Sequence, residues 1–249
     1  MFEQFLKPAS VDEAVRFKSQ FKDDAVFMAG GSKLNATPTR STKSVAISLA
    51  GLGLSGIKSE GGQVTIGATA TSQHVIDNLV VPAAVREAAG FVYSRNVRNQ
   101  ASFGGELFAR QNEAVLLPVL MVMNAKVLLA GGGDADLASW LAGSRDGLVL
   151  GVVLPEPNVC CSTRKVARSV GGLTVLTAAV AIAADGQQRV AIEGVVSSPV
   201  RLAAVEQKRL SGEALQTAVS EAVAPVADLR GSVSYKRYIA GVVVADLLA

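Results

Sequence analysis

The stretch "LTVLTAAVAIAADGQQRVAIEG" limits the possible folds of this chain more than any other. Asp185–Gly186 lies between two long β patterns. An Asp-Gly pair in that setting predicts a tight hairpin, because glycine takes the positive φ the turn requires without steric cost. Strands joined by so short a turn are antiparallel neighbours in one sheet. Three helical segments follow, "RLAAVEQKRL", "GEALQTAVSEAVA" and "SVSYKRYIAGVVVADLLA". Strands first and helices after them predict a β meander with helices on one side, an α+β domain with an antiparallel sheet.

The earlier part of the chain reads differently. In "PASVDEAVRFKSQF", Ser10 precedes Glu13 at capping-box spacing, and Val11, Ala14, Val15 and Phe21 share much of one helical face. The strands "DAVFMAGG" and "SVAISLA" follow, so a small N-terminal α/β lobe is expected to end near residue 55. Beyond it, "GIKSEGGQVTIGATAT" reads as a hairpin turning at Gly61–Gly62, and "VPAAVREAAGFVYS" as a helix opening at Pro82. "AVLLPVLMVMN" reads as a buried helix begun or kinked near Pro118, "AKVLLAGGGDADL" as a strand, turn and return, and "GLVLGVVLPEP" as a strand closed by prolines. The prolines at 155 and 157 mark the expected boundary between a first domain, 1–157, with lobes 1–55 and 56–157, and a second, 158–249.

Several classes of function are disfavoured. The net charge is only +3, with basic residues scattered along the chain, which argues against nucleic acid. The longest apolar runs, "AVLLPVLMVM" and "LTVLTAAVAIAA", fall short of the ~18 residues of a membrane span, and no signal peptide is visible, so a cytoplasmic protein is expected. The two cysteines, Cys160 and Cys161, cannot complete a four-cysteine cluster, and the single histidine, His74, does not supply the missing ligands. No G-x-S-x-G accompanies His74, which argues against a serine nucleophile.

Two Gly-Gly pairs remain, in "MAGGSKLN" and "ASFGGELF". Glycine lets successive backbone N–H groups converge on one point, a concave donor set suited to phosphate, to which Ser32 and Ser102 could add hydroxyls. Two such nests could clamp the two phosphates of a dinucleotide. The same pairs also suit ordinary tight turns, and neither fits G-x-G-x-x-G or the P-loop pattern. Spacing alone leaves both readings open.

"FMAGGSKLNATPTR" together with "VYSRNVRNQASFGGELFAR" resembles the FAD-binding subunit of the molybdenum hydroxylases, the xanthine and carbon monoxide dehydrogenase family, and within it xanthine-dehydrogenase-like subunits of the enteric type. Such proteins carry an AGGTDL-like loop and then an RNxATIGGNL-like loop, and they end in a smaller α+β domain resembling "GSVSYKRYIAGVVVADLL". The resemblance covers essentially the whole chain. It implies a vanillyl-alcohol-oxidase/PCMH-type FAD-binding domain followed by a C-terminal α+β domain.

It also implies a site. The first loop, Phe27, Met28, Ala29, Gly30, Gly31, Ser32, Lys33 and Leu34, would wrap the FAD diphosphate. The second, Ser102, Phe103, Gly104, Gly105 and Glu106, would meet the diphosphate and ribityl region, with Leu150 and Lys165 near the flavin ring. Three departures stand out, one of them the family Asp before the last domain's apolar strand, replaced around Gly171–Gly172. The family's Asn after Gly-Gly is Glu106 here, and a family Asp falls at Val115. The implied function is an oxidoreductase subunit that takes electrons from iron–sulfur clusters and passes them to NAD or another acceptor. Its partners would be an iron–sulfur subunit and a molybdenum-cofactor subunit. The alternative is a non-catalytic scaffold of the same fold with weakened or lost FAD binding, which Glu106 and Val115 favour. An oxidase working alone would want a substrate-facing acid or base, or a covalent flavin anchor, and His74 is poorly placed for either.

Overall fold

A computed structural model of the chain describes residues 2–36, 40–108, 114–145 and 147–249. Its first strand, β1 (Gln4–Leu6), leads to helix α1 (Val11–Phe21) and to strands β2 (Ala25–Met28) and β3 (Val45–Ser48). These strands form a parallel sheet in the order β1-β3-β2. Ser10 Oγ accepts the Glu13 N–H at 3.1 Å, as the capping spacing predicts. Glu13 reaches back to the N–H of Ala9, at 2.7 Å, so the box closes one residue early. Ala14 is buried, and Val11, Phe17 and Phe21 pack beside it; Val15, expected on that face, is exposed.

The hairpin at Gly61–Gly62 forms as expected, from β4 (Ile57–Glu60) and β5 (Gln63–Gly67). Next come α2 (Ser72–Asp77), α3 (Ala83–Gly90), α4 (Arg95–Arg98), α5 (Phe103–Phe108) and α6 (Leu117–Val122). Strands β6 (Lys126–Leu129) and β7 (Asp134–Asp136), helix α7 (Leu137–Ala142) and strand β8 (Val149–Leu154) complete this part. The five strands pair antiparallel in the order β4-β5-β8-β6-β7. The stretch 97–111, read from sequence as a loop, is partly helical: α4 is capped by Ser94, and both glycines of the second pair sit inside α5. Ala109, Arg110 and Gln111 of that stretch lie outside the described residues.

The remaining strands are β9 (Cys160–Ala167), β10 (Thr174–Ile182), β11 (Gln188–Glu193) and β12 (Val200–Arg201), followed by α8 (Ala203–Glu206), α9 (Gly212–Ala222) and α10 (Val233–Leu247). Their antiparallel sheet runs β12-β11-β10-β9, and Gly186 takes φ +77° in the hairpin that Asp185–Gly186 predicts. All residues of β10 except the last, Ile182, are buried, on both faces, which explains its largely apolar run. One face, with Leu176, Ala178, Val180, Val190 and Ile192, is covered by α9 and α10. The other presents Ala179, Ala181 and Ala191, small enough for α6 to lie close against them.

That second face is also pinned by polar contacts. Arg189 forms a two-pronged pair with Glu156, at 2.8 and 3.2 Å, and donates to the Val122 carbonyl. Asn124 donates to Glu156 and accepts from Arg201. The hydrogen bond from Arg189 leads the causes that hold the Glu156 carboxyl below its ordinary range. Glu206 accepts from the N–H of Val190 and from Arg201 at 2.9 and 2.7 Å. The helix predicted over "RLAAVEQKRL" is reduced to the short α8, which Arg209, with φ +49°, follows in the left-handed region.

Candidate functional site

The first glycine pair begins where β2 runs out. Met28 ends the strand, and Phe27 and Ala29 sink into the apolar cluster beneath the parallel sheet, together with Leu150 of β8. The chain then turns sharply: Gly31 has φ +70°, a conformation costing an L-residue roughly 1–2 kcal/mol, and its carbonyl accepts the N–H of Asn35. Among the described residues, the backbone N–H groups of Gly30, Gly31 and Ser32 find no protein acceptor. Three successive free donors on a turn, beside β2 and open to solvent at Gly30, are a fitting arrangement for an anion.

The second pair is built the other way. Phe103 donates to the Ala70 carbonyl, Gly104 to that of Ala68, Gly105 to Ser102 Oγ and Glu106 to the Ser102 carbonyl. Every N–H from Phe103 to Glu106 is thus taken by the chain itself. Gly104 is required by packing, since a Cβ there would come within 2.9 Å of both the Cβ and the carbonyl oxygen of Ala68. The two loops also touch: a Cβ on Gly30 would overlap the carbonyl of Gln100, just before α5. Arg98 is occupied in holding its own surroundings, through Gln73 and the carbonyls of Val92 and Tyr93.

Charge crosses between the loops. Glu106 is buried, and its Oε1 lies 3.5 Å from Nζ of Lys33, an atom that is itself buried although the Lys33 side chain is about a third exposed. A carboxylate that would repel a diphosphate is therefore matched by a cation from the opposite loop. Lys33 and Glu106 thus form one pair of opposite charges between the two loops.

A third loop and the last sheet close the cluster. Glu193, at the end of β11, is buried and accepts the Ala114 N–H at 3.2 Å. Burial, reinforced by the charge of Glu106, pushes its carboxyl up to about 8, against the partial opposition of Ala114, Lys33 and Arg145. Arg145, which follows α7, donates to the carbonyls of Leu141 and Leu107. Thr177 pairs in register with Glu193 on one side and with Lys165 on the other, so Lys165, Thr177 and Glu193 form one row across the sheet face turned toward α6. Among the described residues, Oε2 of Glu106, Oε2 of Glu193 and Oγ1 of Thr177 are buried without a hydrogen-bond partner.

Most of the residues named from sequence are drawn toward these loops. Phe27, Ala29 and Leu150 share one cluster, Gly30 meets the approach to α5, and Lys33 meets Glu106. Phe103 and Gly104 dock on the chain after β5, and Ser102 bridges to Thr71. Met28 and Leu34 flank the free donors, of which Ser32 is one, and all three are half-buried. Lys165, in register beside Thr177, donates to the Phe91 carbonyl at 3.1 Å. Val115 is buried in the central core. Sequence reading missed Glu193, Thr177 and Arg145. Glu193 had a visible signal, an acid ending the otherwise apolar strand "VAIEG". A separate concavity of about 410 Å³, lined by Leu79, Val80, Arg86 and Cys161 among others, includes none of the glycine-loop residues.

Over residues 1–157 the chain matches the family described as the FAD binding domain in molybdopterin dehydrogenase. The chain belongs to that family. It is 49% identical over 249 residues to the uncharacterized protein YgfM of Escherichia coli (strain K12), covering 100% of this chain and 96% of YgfM. It is 28% identical over 283 residues to the carbon monoxide dehydrogenase medium chain of Hydrogenophaga pseudoflava, covering 98% of this chain and 95% of that one. The solved carbon monoxide dehydrogenase of H. pseudoflava lacking the Mo-pyranopterin moiety superposes with a TM-score of 0.88 at 25% identity, over 100% of this chain and 96% of that chain. The expected α+β fold is therefore this flavoprotein's fold, its cofactor is FAD, and its class is that of an oxidoreductase flavoprotein subunit of a molybdenum hydroxylase.

The residues present fit FAD. The free N–H groups of Gly30, Gly31 and Ser32 suit a diphosphate, and the buried acceptor oxygen of Glu106 suits a hydroxyl or amide donor. The extra carboxylate at 106 is balanced by Lys33.

Proposed function

We propose that this chain is the flavin-bearing, electron-transferring subunit of a xanthine-dehydrogenase-like molybdenum hydroxylase in the cytoplasm, working with an iron–sulfur subunit and a molybdenum-cofactor subunit. In this reading residues 1–157 hold the flavin and 158–249 form a second domain that closes the site from β9 and β11. The observation that carries it is the row of free N–H donors on Gly30, Gly31 and Ser32, set against the ion-paired second loop in a chain of this family. The medium chain of carbon monoxide dehydrogenase, whose name places it in a multi-chain enzyme, supports the partners.

The chemistry FAD supplies when bound is electron transfer, taken from iron–sulfur clusters of the partner and passed to NAD or another acceptor. The chain's own residues bind and orient. Gly30, Gly31 and Ser32 donate to the diphosphate, with Lys33 adding charge. Phe103 and Gly104 form the rigid wall facing them, and Phe27, Ala29 and Leu150 keep the floor dry. Glu106 offers a buried acceptor to a ribityl hydroxyl. The alternative, a scaffold with weakened flavin binding, is favoured by one feature: the second loop's N–H groups are all taken by the fold. A visible absorption spectrum of the purified chain, taken before and after incubation with FAD and desalting, separates the two. A retained flavin band is the expected result. Its absence, even with partner subunits present, leaves the scaffold.

A further inference from the structure

Glu193 has no place in the flavin contacts derived above, yet it is a buried acid reaching from the last sheet to the edge of the flavin cradle. Among the described residues, the charged groups facing it come from several elements. Glu106 approaches from α5, Lys33 from the first glycine loop and Arg145 from the segment after α7. Uncharged Thr177 lies beside it on β10, and Lys165 on β9 is drawn off to the Phe91 carbonyl. Helix α6 offers no ionisable side chain, and Glu206 of α8 is engaged with Val190 and Arg201 further along β11. Among the described residues, the two cations near Glu193, Lys33 and Arg145, balance the two carboxyl groups when both are ionised.

An FAD diphosphate adds two negative charges beside this cluster, and it also competes with Glu106 for Lys33. Both effects disfavour a second ionised carboxyl in a buried place. We propose that FAD loading is coupled to the uptake of one proton by Glu193, which makes this residue of the last sheet a sensor of flavin occupancy. The inference rests on the flavin-subunit reading above. The proton comes from solvent and stays on Glu193 Oε2, the oxygen without a protein partner, while Oε1 keeps its hydrogen bond from Ala114.

The direction follows from linkage. The free chain holds the Glu193 proton only below about 8, and the loaded chain holds it to higher pH. FAD affinity is then flat at lower pH, where Glu193 is protonated in both states. It weakens as pH rises above about 8, by up to about tenfold per pH unit, until the loaded form also loses its proton.

The test is calorimetric titration of the full chain with FAD in buffers of different ionisation enthalpy, joined to dissociation constants from quenching of flavin fluorescence. The expected result is little proton exchange at about pH 6 and uptake of more than half a proton at about pH 8.5 to 9. Glu193→Gln, which preserves an acceptor for Ala114, should bind FAD with no proton uptake and no weakening above pH 8 beyond that of free FAD itself. Binding by the wild-type chain without uptake at the higher pH overturns the coupling and leaves the flavin reading standing. Uptake that persists in Glu193→Gln overturns the assignment to Glu193. Failure to bind FAD at any pH removes the flavin reading and the coupling together. Should Glu193→Gln fold poorly, the wild-type measurement decides alone.

Discussion

Two loops with the same Gly-Gly sequence use it for opposite ends. In the first, Gly30 and Gly31 leave their N–H groups unclaimed by the protein, and the turn exposes them. In the second, Gly104 and Gly105 lie in α5, their N–H groups taken by Ala68 and Ser102. In the function proposed above, the first loop meets the ligand and the second serves the fold that holds the ligand's far side. A glycine pair therefore does not announce a nest. What distinguishes the two is where the donors go, which depends on the elements packed behind each loop. Behind the first is the open end of a parallel strand; behind the second is the chain leaving β5.

The largest effects should come where that contact is backbone on backbone. Gly30→Ala drives a methyl into the Gln100 carbonyl and should cost about 3 kcal/mol or more in denaturant unfolding, because neither loop can yield without the other. Gly104→Ala should cost about 1–3 kcal/mol against Ala68, reversing the gain of up to ~1 kcal/mol that alanine normally brings to a helix. A stable Gly104→Ala chain would break the claim that α5 is packed for the fold.

The ion pair between the loops should respond asymmetrically. Lys33→Met strands Glu106, which is buried, and should lower stability by about 1–3 kcal/mol at neutral pH. Glu106→Gln takes the carboxylate from a buried Lys33 ammonium, but the partly exposed stem lets that group swing toward water, so the loss should be the smaller of the two, about 1 kcal/mol. Thermal unfolding of the two variants side by side is the measurement. Equal losses would mean that Glu106 finds another cation when Lys33 is gone.

Gly31→Ala sharpens the comparison from the other loop. The positive φ should cost about 1–2 kcal/mol of stability, while the clash of the new Cβ with Met28 Cε and Asn35 Nδ2 can be eased by those flexible side-chain ends moving aside. FAD affinity should fall on the order of tenfold or more, since a shift of about 1.4 kcal/mol in the donors' alignment already amounts to that factor. Fluorescence titration with FAD and denaturant unfolding on the same preparation would show whether affinity falls further than stability.

Much of this was legible in the residues. Asp185–Gly186 and Gly61–Gly62 gave their hairpins, and Ser10 its cap, because turn and cap chemistry is local. The brief α8 was not legible, since Glu206 is engaged by Val190 and Arg201 from other strands. Nor was the helical state of Phe103–Phe108, where two glycines count against a helix and only contact with Ala68 and Ala70 overrides them. In the site, the paired loops were visible through resemblance, but the partner of Glu106 was not. Lys33 and Glu106 are far apart in sequence and meet only through the fold. Glu193 is further still, placed by the register that sets it opposite Thr177.

The smallest effect carries the finest discrimination. Gly105 is the exposed neighbour of Gly104, and a Cβ there meets only Ser102 Oγ, at 2.8 Å. That hydroxyl can rotate, giving up the 3.2 Å hydrogen bond from the Gly105 N–H, which is worth about 0.5–1.5 kcal/mol. Alanine in the helix returns up to ~1 kcal/mol, so Gly105→Ala should leave stability within about 1 kcal/mol of the parent. If the second loop is only a wall, FAD affinity should change by less than about threefold, under ~0.7 kcal/mol. A collapse of affinity with stability unmoved would mean that FAD meets α5 directly at Gly105. The two loops would then differ in how they are held and not in whether they bind, because a donor now closed onto Ser102 would have to open when the flavin arrives.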